Sequence, residues 1–111
     1  MRKIAIPVSK SSLSPHFGHC EIFYMYEVEN NKILNEIFLS SPPHEPGLFP
    51  KWLRENGVTD IIAGGMGHRA INLFHHYNIN VFVGAPQKEP GEIIREFLEG
   101  TLKLTKNYCD H

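Results

Sequence analysis

Two short apolar runs constrain this chain more than any other feature: Val58-Thr59-Asp60-Ile61-Ile62-Ala63-Gly64 and Asn80-Val81-Phe82-Val83-Gly84. Such compact runs suit strands covered on both faces, as in the middle of a parallel sheet. Each leads into a segment with helical spacing. After the first, Ala70, Ile71, Phe74 and Tyr77 recur every three to four residues. After the second, Pro90-Gly91-Glu92 opens a helix whose Ile93, Ile94, Phe97 and Leu98 share one face, and Gly100 ends it. This succession of strands and helices points to a layered α/β arrangement.

The first half of the chain has a different pattern. Lys3 to Val8 alternates and is rich in β-formers, so a first strand is expected there, ending or bending at Pro7, which has no N–H to donate. Ser9 to His19 is small and polar, with Pro15 and Gly18, and reads as a loop. Glu21 to Glu29 and Lys32 to Leu39 are strand-like and flank Asn30-Asn31, a hairpin signal. Ser40 to Pro50 carries four prolines and a glycine and is expected to be irregular. Lys51 to Asn56 reads as a short helix stopped by Gly57. The expected order is therefore β-β-β-α-β-α-β-α, giving a mixed sheet with helices on its faces. Thr101 to His111 has little apolar content and is expected to be a tail beyond a single domain spanning residues 1–100.

Composition removes several classes of function. Eleven Lys and Arg against twelve Asp and Glu leave a net charge of −1, without the basic surplus of a non-specific nucleic-acid binder. No apolar run approaches the roughly 18 residues of a spanning helix, and the opening Met1 to Val8 is too short and β-like for a signal peptide. A cytoplasmic protein with neither a nucleic-acid nor a membrane partner is expected. Seven His and two Cys stand out. Two thiols cannot build a disulfide scaffold, but imidazole and thiolate are the ligands that transition metals prefer.

The densest chemistry lies where the first apolar run meets its helix, at Ile61-Ile62-Ala63-Gly64-Gly65-Met66-Gly67-His68-Arg69-Ala70. Glycines let a ligand approach the backbone closely, and the first amides of a helix point outward with a partial positive charge. An anion fits there, with His68 and Arg69 as further donors; the alternative is a tight turn without a ligand. The spacing matches neither the dinucleotide fingerprint nor a P-loop. Ligands of open α/β sheets bind beyond the carboxyl ends of the parallel strands, which brings in the loop after Val8 and the segment Gly84-Ala85-Pro86. That first loop holds His16, His19 and Cys20, a candidate soft-metal site; alternatively the two His are solvated and Cys20 is a small core residue. Cys109 and His111 in the tail form a Cys-x-His pair that could contribute ligands for zinc or a softer ion, or could simply fray. His75 and His76 face different sides of a helix and read as solvated, whereas His44 lies in a proline-rich loop that could fold over the site. There is no Gly-x-Ser-x-Gly elbow and no carboxylate pair at strand ends, and Glu45 and Asp60 read as lone capping acids. No catalytic constellation emerges.

With these motifs assembled, the chain resembles the dinitrogenase iron–molybdenum cofactor biosynthesis family, the NifX/NifB-type domain. The matching pieces are KIAIPV, SPHFGHCEIFYMYEVENNKI and GVTDIIAGGMGHRAINLFHHYNINVFVGA, in the family's order from about residue 2 to 100. The resemblance implies a ribonuclease-H-like three-layer fold with a mixed five-stranded sheet. It also implies non-catalytic binding or carriage of an anionic metal–sulfur cluster containing molybdenum, iron or copper. Donor or acceptor proteins for that cluster are implied as partners. Carried over to this chain, His16, Phe17 and Gly18 form the His-Phe-Gly motif, with His16 the leading ligand. Gly64, Gly65, Met66 and Gly67 form the cradle, and Arg69 balances charge. The Cys109-x-His111 ending is similar to that of small stand-alone members. The alternative is a regulatory or interaction module that binds zinc or a small anion. Because protonation competes with metal for imidazole, affinity for a cluster is expected to fall below roughly pH 6. An acid titration that leaves metal affinity unchanged would exclude imidazole ligation.

Overall fold

The computed structural model describes residues 1–15, 20–42 and 48–107. Six strands and three helices follow in the order β1 (Arg2–Ser9), β2 (Ser12–Leu13), β3 (Ile22–Glu29), β4 (Lys32–Ser40), α1 (Leu48–Glu55), β5 (Asp60–Ile62), α2 (His68–His76), β6 (Asn80–Phe82) and α3 (Pro90–Glu99). The sheet runs β4-β3-β1-β5-β6, with β2 paired to β1 off this path. Pairing is antiparallel through β4, β3 and β1 and parallel through β1, β5 and β6. The mixed α/β fold expected from the sequence is present. The finer ribonuclease-H-like designation rests on the resemblance alone.

Strand alternation divides the core into two layers. Ala5, Phe23, Met25, Ile61 and Ala63 project to one face and pack with Phe49 and Leu53 of α1 and Phe74 of α2. Ile4, Ile6, Val8, Tyr26 and Ile62 project to the other face and meet Ile93 and Ile94 of α3. The hairpin turn has Asn30 at φ 52° and Asn31 at φ 61°, the left-handed pair that a two-residue connection needs and that Asn tolerates. Strand β4 forms one edge of the path. A register shift sets Ile33 opposite Val28 and Asn35 opposite Glu27, leaving Leu34 as an extra residue.

Four expectations need correction. Strand β1 runs through Pro7 to Ser9, because the proline faces the side where β5 has already ended. Its carbonyl still accepts the Ser14 N–H at 2.9 Å. The Ser9–His19 loop contains a sixth strand, β2, which folds back onto β1. Helix α1 begins at Leu48, inside the proline-rich stretch, because Pro50 lies in the first turn, where no intrahelical donor is lost. The chain after α3 is docked: Leu102 packs on the α3-side core, and Thr105 gives its N–H (2.8 Å) and hydroxyl (3.1 Å) to the Gly84 carbonyl.

Asp60 is not a capping acid. It is buried at the start of β5 and accepts Arg2 Nε and Nη2 (both 3.1 Å), the Thr59 hydroxyl (2.7 Å) and Asn80 Nδ2 (2.9 Å). Burial alone would raise its carboxyl. The hydrogen bonds from Arg2, Thr59 and Asn80, together with the charge of Arg2, outweigh that and hold it below the usual carboxylate range. The Arg2 guanidinium also lies 5.2 Å from the Phe97 ring centroid, tying β1 to α3.

Because Asp60 is depressed in the folded state, its stabilisation is present above the unfolded carboxyl value of about 3.9 and is lost as pH falls through the folded value. Arg2→Ala is expected to cost about 2 kcal/mol at pH 7, discounted because Arg2 is half exposed, and less at pH 3, below the unfolded carboxyl value. Denaturant unfolding at the two pH values measures the difference. At Gly84 (φ +82°), an added Cβ would come within 2.6 Å of the Thr105 carbonyl carbon. Gly84→Ala is therefore expected to destabilise by about 2 kcal/mol or more and to expose the 101–107 segment to limited proteolysis.

Candidate functional site

The carboxyl ends of β1, β5 and β6 converge as expected. Beyond β5, Ala63 donates to Phe82 O (2.8 Å) and accepts from Ala85 N (3.1 Å), and Gly84 donates to Gly64 O (2.9 Å). These bonds tie the two segments together past the strand ends and set Gly64 beside Gly84. Gly64, Gly65 and Met66 are buried, whereas Gly67, His68 and Arg69 are exposed. The apolar strand thus surfaces at Gly67.

Helix α2 starts at once. Its N-cap, Gly67, is extended (φ −69°, ψ 156°) and has no side chain to bond the first amides; its carbonyl accepts Ile71 N–H at 3.1 Å. An added Cβ there would meet nothing within 4 Å. Neither backbone conformation nor crowding requires glycine at this position. The missing side chain leaves the helix without a side-chain cap, with Arg69 in the first turn. A terminus of this kind favours negative charge through its amides and dipole.

Met66 departs from the expected cradle. Its side chain is in the α1/α2-side core, and its backbone is already engaged by the Asn107 carboxamide. Met66 N–H donates to Asn107 Oδ1 at 3.0 Å, and Asn107 Nδ2 donates to Met66 O at 2.8 Å. Only the neighbouring glycine backbone remains for a ligand. Nothing in the sequence marked Asn107, since a polar residue past the last helix carries no periodic signal. It lies two residues before Cys109.

Cys20 also has a packing role. It is 9% exposed in the α1/α2-side core, with Sγ 3.2 Å from Ser41 Oγ. Burial pushes its thiol up, more than the Ser41 hydrogen bond lowers it. This placement is the small-core-residue alternative for Cys20. His75 and His76 are exposed in the last turn of α2, at the opposite end from the glycine turn. His16, Phe17, Gly18, His19, His44, Cys109 and His111 lie outside the described residues. Among the described residues, no group of three or more His, Cys, Asp or Glu comes together, and no helix is long and apolar enough to cross a membrane.

Comparison with known proteins agrees with this geometry. The family profile described as dinitrogenase iron-molybdenum cofactor matches residues 1–100. The uncharacterized protein MJ0580 of Methanocaldococcus jannaschii is 36% identical over 108 residues, covering 93% of this chain and 91% of its own. The crystal structure of PH0822 superposes with a TM-score of 0.89 at 27% identity, covering 96% of both chains. The apo form of the orange protein of Desulfovibrio gigas shares the fold at a TM-score of 0.75 and 16% identity, over 96% of this chain and 95% of that one. A strand–glycine turn–helix unit at the carboxyl end of a mixed sheet and a family match over most of the sequence lead to one conclusion: this chain belongs to the dinitrogenase iron-molybdenum cofactor family.

Proposed function

We propose that this chain binds and carries an anionic metal–sulfur cluster, as cargo, in the assembly of an iron–molybdenum-type cofactor, without catalysing a reaction on it. The observation that carries this reading is the N-terminus of α2, which has no side-chain cap: an extended Gly67 with exposed His68 and Arg69 beside it. A sulfide-rich cluster presents negative charge spread over soft acceptors. Backbone amides and a guanidinium match that charge without supplying thiolates, which suits a chain with only two Cys. Gly64 and Gly65 form the floor, and Arg69 offsets charge. His16, of the His-Phe-Gly motif that carries the family resemblance, is the proposed imidazole ligand. A carrier must also release its cargo, so few covalent ligands and many weak electrostatic contacts serve transfer to an acceptor protein.

The direct test is anaerobic purification followed by elemental analysis for Mo, Fe, Cu, Zn and sulfide, then uptake of tetrathiomolybdate by the metal-free protein. Protein that is isolated metal-free and takes up neither thiomolybdate nor an iron–sulfur cluster would overturn the reading. A substitution at Gly67 separates binding from folding. Gly67→Asp supplies an N-cap carboxylate, which is expected to leave stability unchanged or raise it by a few tenths of a kcal/mol. The same carboxylate opposes an anion, so thiomolybdate affinity should fall by about tenfold or more. Equal affinity in Gly67→Asp and wild type would place the cargo elsewhere.

A further inference from the structure

At the same end of the sheet, but on the α3 face, a separate pocket of about 410 Å³ opens between β2 and the segment entering α3. Its polar lining comes from Ser9, Lys10, Ser12, Ser14 and Gln87, and among the described residues no acidic side chain lines it. The wall formed by β2 is fixed from both sides: Leu13 N–H donates to Lys88 O and Ser14 N–H to Pro7 O, each at 2.9 Å. Leu13 belongs to the core under α3, whereas the glycine turn leads into α2 on the opposite face.

The two hairpin turns of this protein differ in a way that bears on the pocket. Both connect antiparallel strands through two residues with positive φ. The β3–β4 turn uses Asn30-Asn31, residues that accept the left-handed region. The β1–β2 turn places Lys10 (φ 53°) and Ser11 (φ 70°) there, residues that tolerate it less well than Asn or Gly. Strain of this kind persists where the side chain has a use. Glu21 pins the turn, with Oε1 accepting Lys10 N–H at 2.9 Å and the Ser9 hydroxyl at 3.2 Å. Ser9 is therefore occupied. Lys10, Ser12 and Gln87 remain to offer one ammonium and two neutral donors to a single occupant.

We propose that this pocket binds a tetrahedral oxyanion of the phosphate class, at a second site independent of the glycine turn. One ammonium with hydroxyl and amide donors around a concavity suits a compact dianion that is hydrogen-bonded on several sides. The source is either free inorganic phosphate or the phosphoryl end of a small phosphomonoester, and both are titrated. Wild-type protein at low ionic strength is expected to show saturable one-to-one binding of inorganic phosphate, or of glycerol phosphate if the ester is the ligand, by calorimetry. The double variant Lys10→Asn with Ser11→Gly installs the preferred turn residues. Its melting temperature should rise by about 3–6 °C while phosphate affinity falls by about tenfold. Gln87→Glu leaves the turn untouched, sets a carboxylate in the lining, and should likewise weaken phosphate binding by about tenfold or more. Gly67→Asp should leave phosphate binding unchanged, so this site and the cluster site fail separately. No saturable binding of either probe, wild-type affinity in the turn variant or in Gln87→Glu, or a melting temperature that falls in the turn variant overturns the proposal.

Discussion

The narrow seam between β1 and β5 holds the two halves of this molecule together. On one side lies the antiparallel unit β4-β3-β1, on the other the parallel unit β5-β6 with its helices. Only Ile4 with Asp60 and Ala5 with Ile61 pair across the junction. So short a ladder needs reinforcement, and the residues just below it supply it. Thr59 N–H donates to Lys3 O at 2.9 Å, Lys3 N–H donates to the Thr59 hydroxyl at 3.0 Å, and Lys3 Nζ reaches Asn56 O at 2.6 Å. The buried Asp60 then binds Arg2 from β1 and Asn80 from β6, so three adjacent strands share one carboxylate. The Arg2–Asp60 ion pair lies at this end of the sheet, and the glycine turn lies at the other.

Much of the architecture was legible because it follows from periodicity. Ile61, Ile62 and Ala63 could only form a covered strand, and Ile93, Ile94 and Phe97 could only form one helix face. The hairpin was legible because Asn30-Asn31 is among the few dipeptides that suit its turn. What escaped depended on groups distant in sequence. Asp60 looks isolated until the fold brings Arg2 beside it, 58 positions away. Strand β2 is two residues long, below the length at which alternation carries information. Asn107 finds Met66 only because the chain doubles back past Gly84.

The candidate site was legible in outline and altered in detail. The glycine turn and exposed Arg69 stand where the sequence placed them, at the end of a parallel strand and the start of a helix. Burial bears on Met66 and Cys20: one packs and has its amide engaged, the other sits beneath the surface as the core alternative had it. Their residue types fit either ligand or core. Only the depth of each position separates the two.

The docking of Asn107 on Met66 has a dynamic consequence. A backbone amide this deep would ordinarily exchange its proton with solvent only through cooperative opening of the whole molecule. Here the acceptor belongs to a segment that, among the described residues, is held by hydrogen bonds from Thr105 and at Met66 and by the packing of Leu102. Lifting that segment frees the Met66 N–H while the sheet stays intact. Its exchange rate therefore follows a local opening equilibrium.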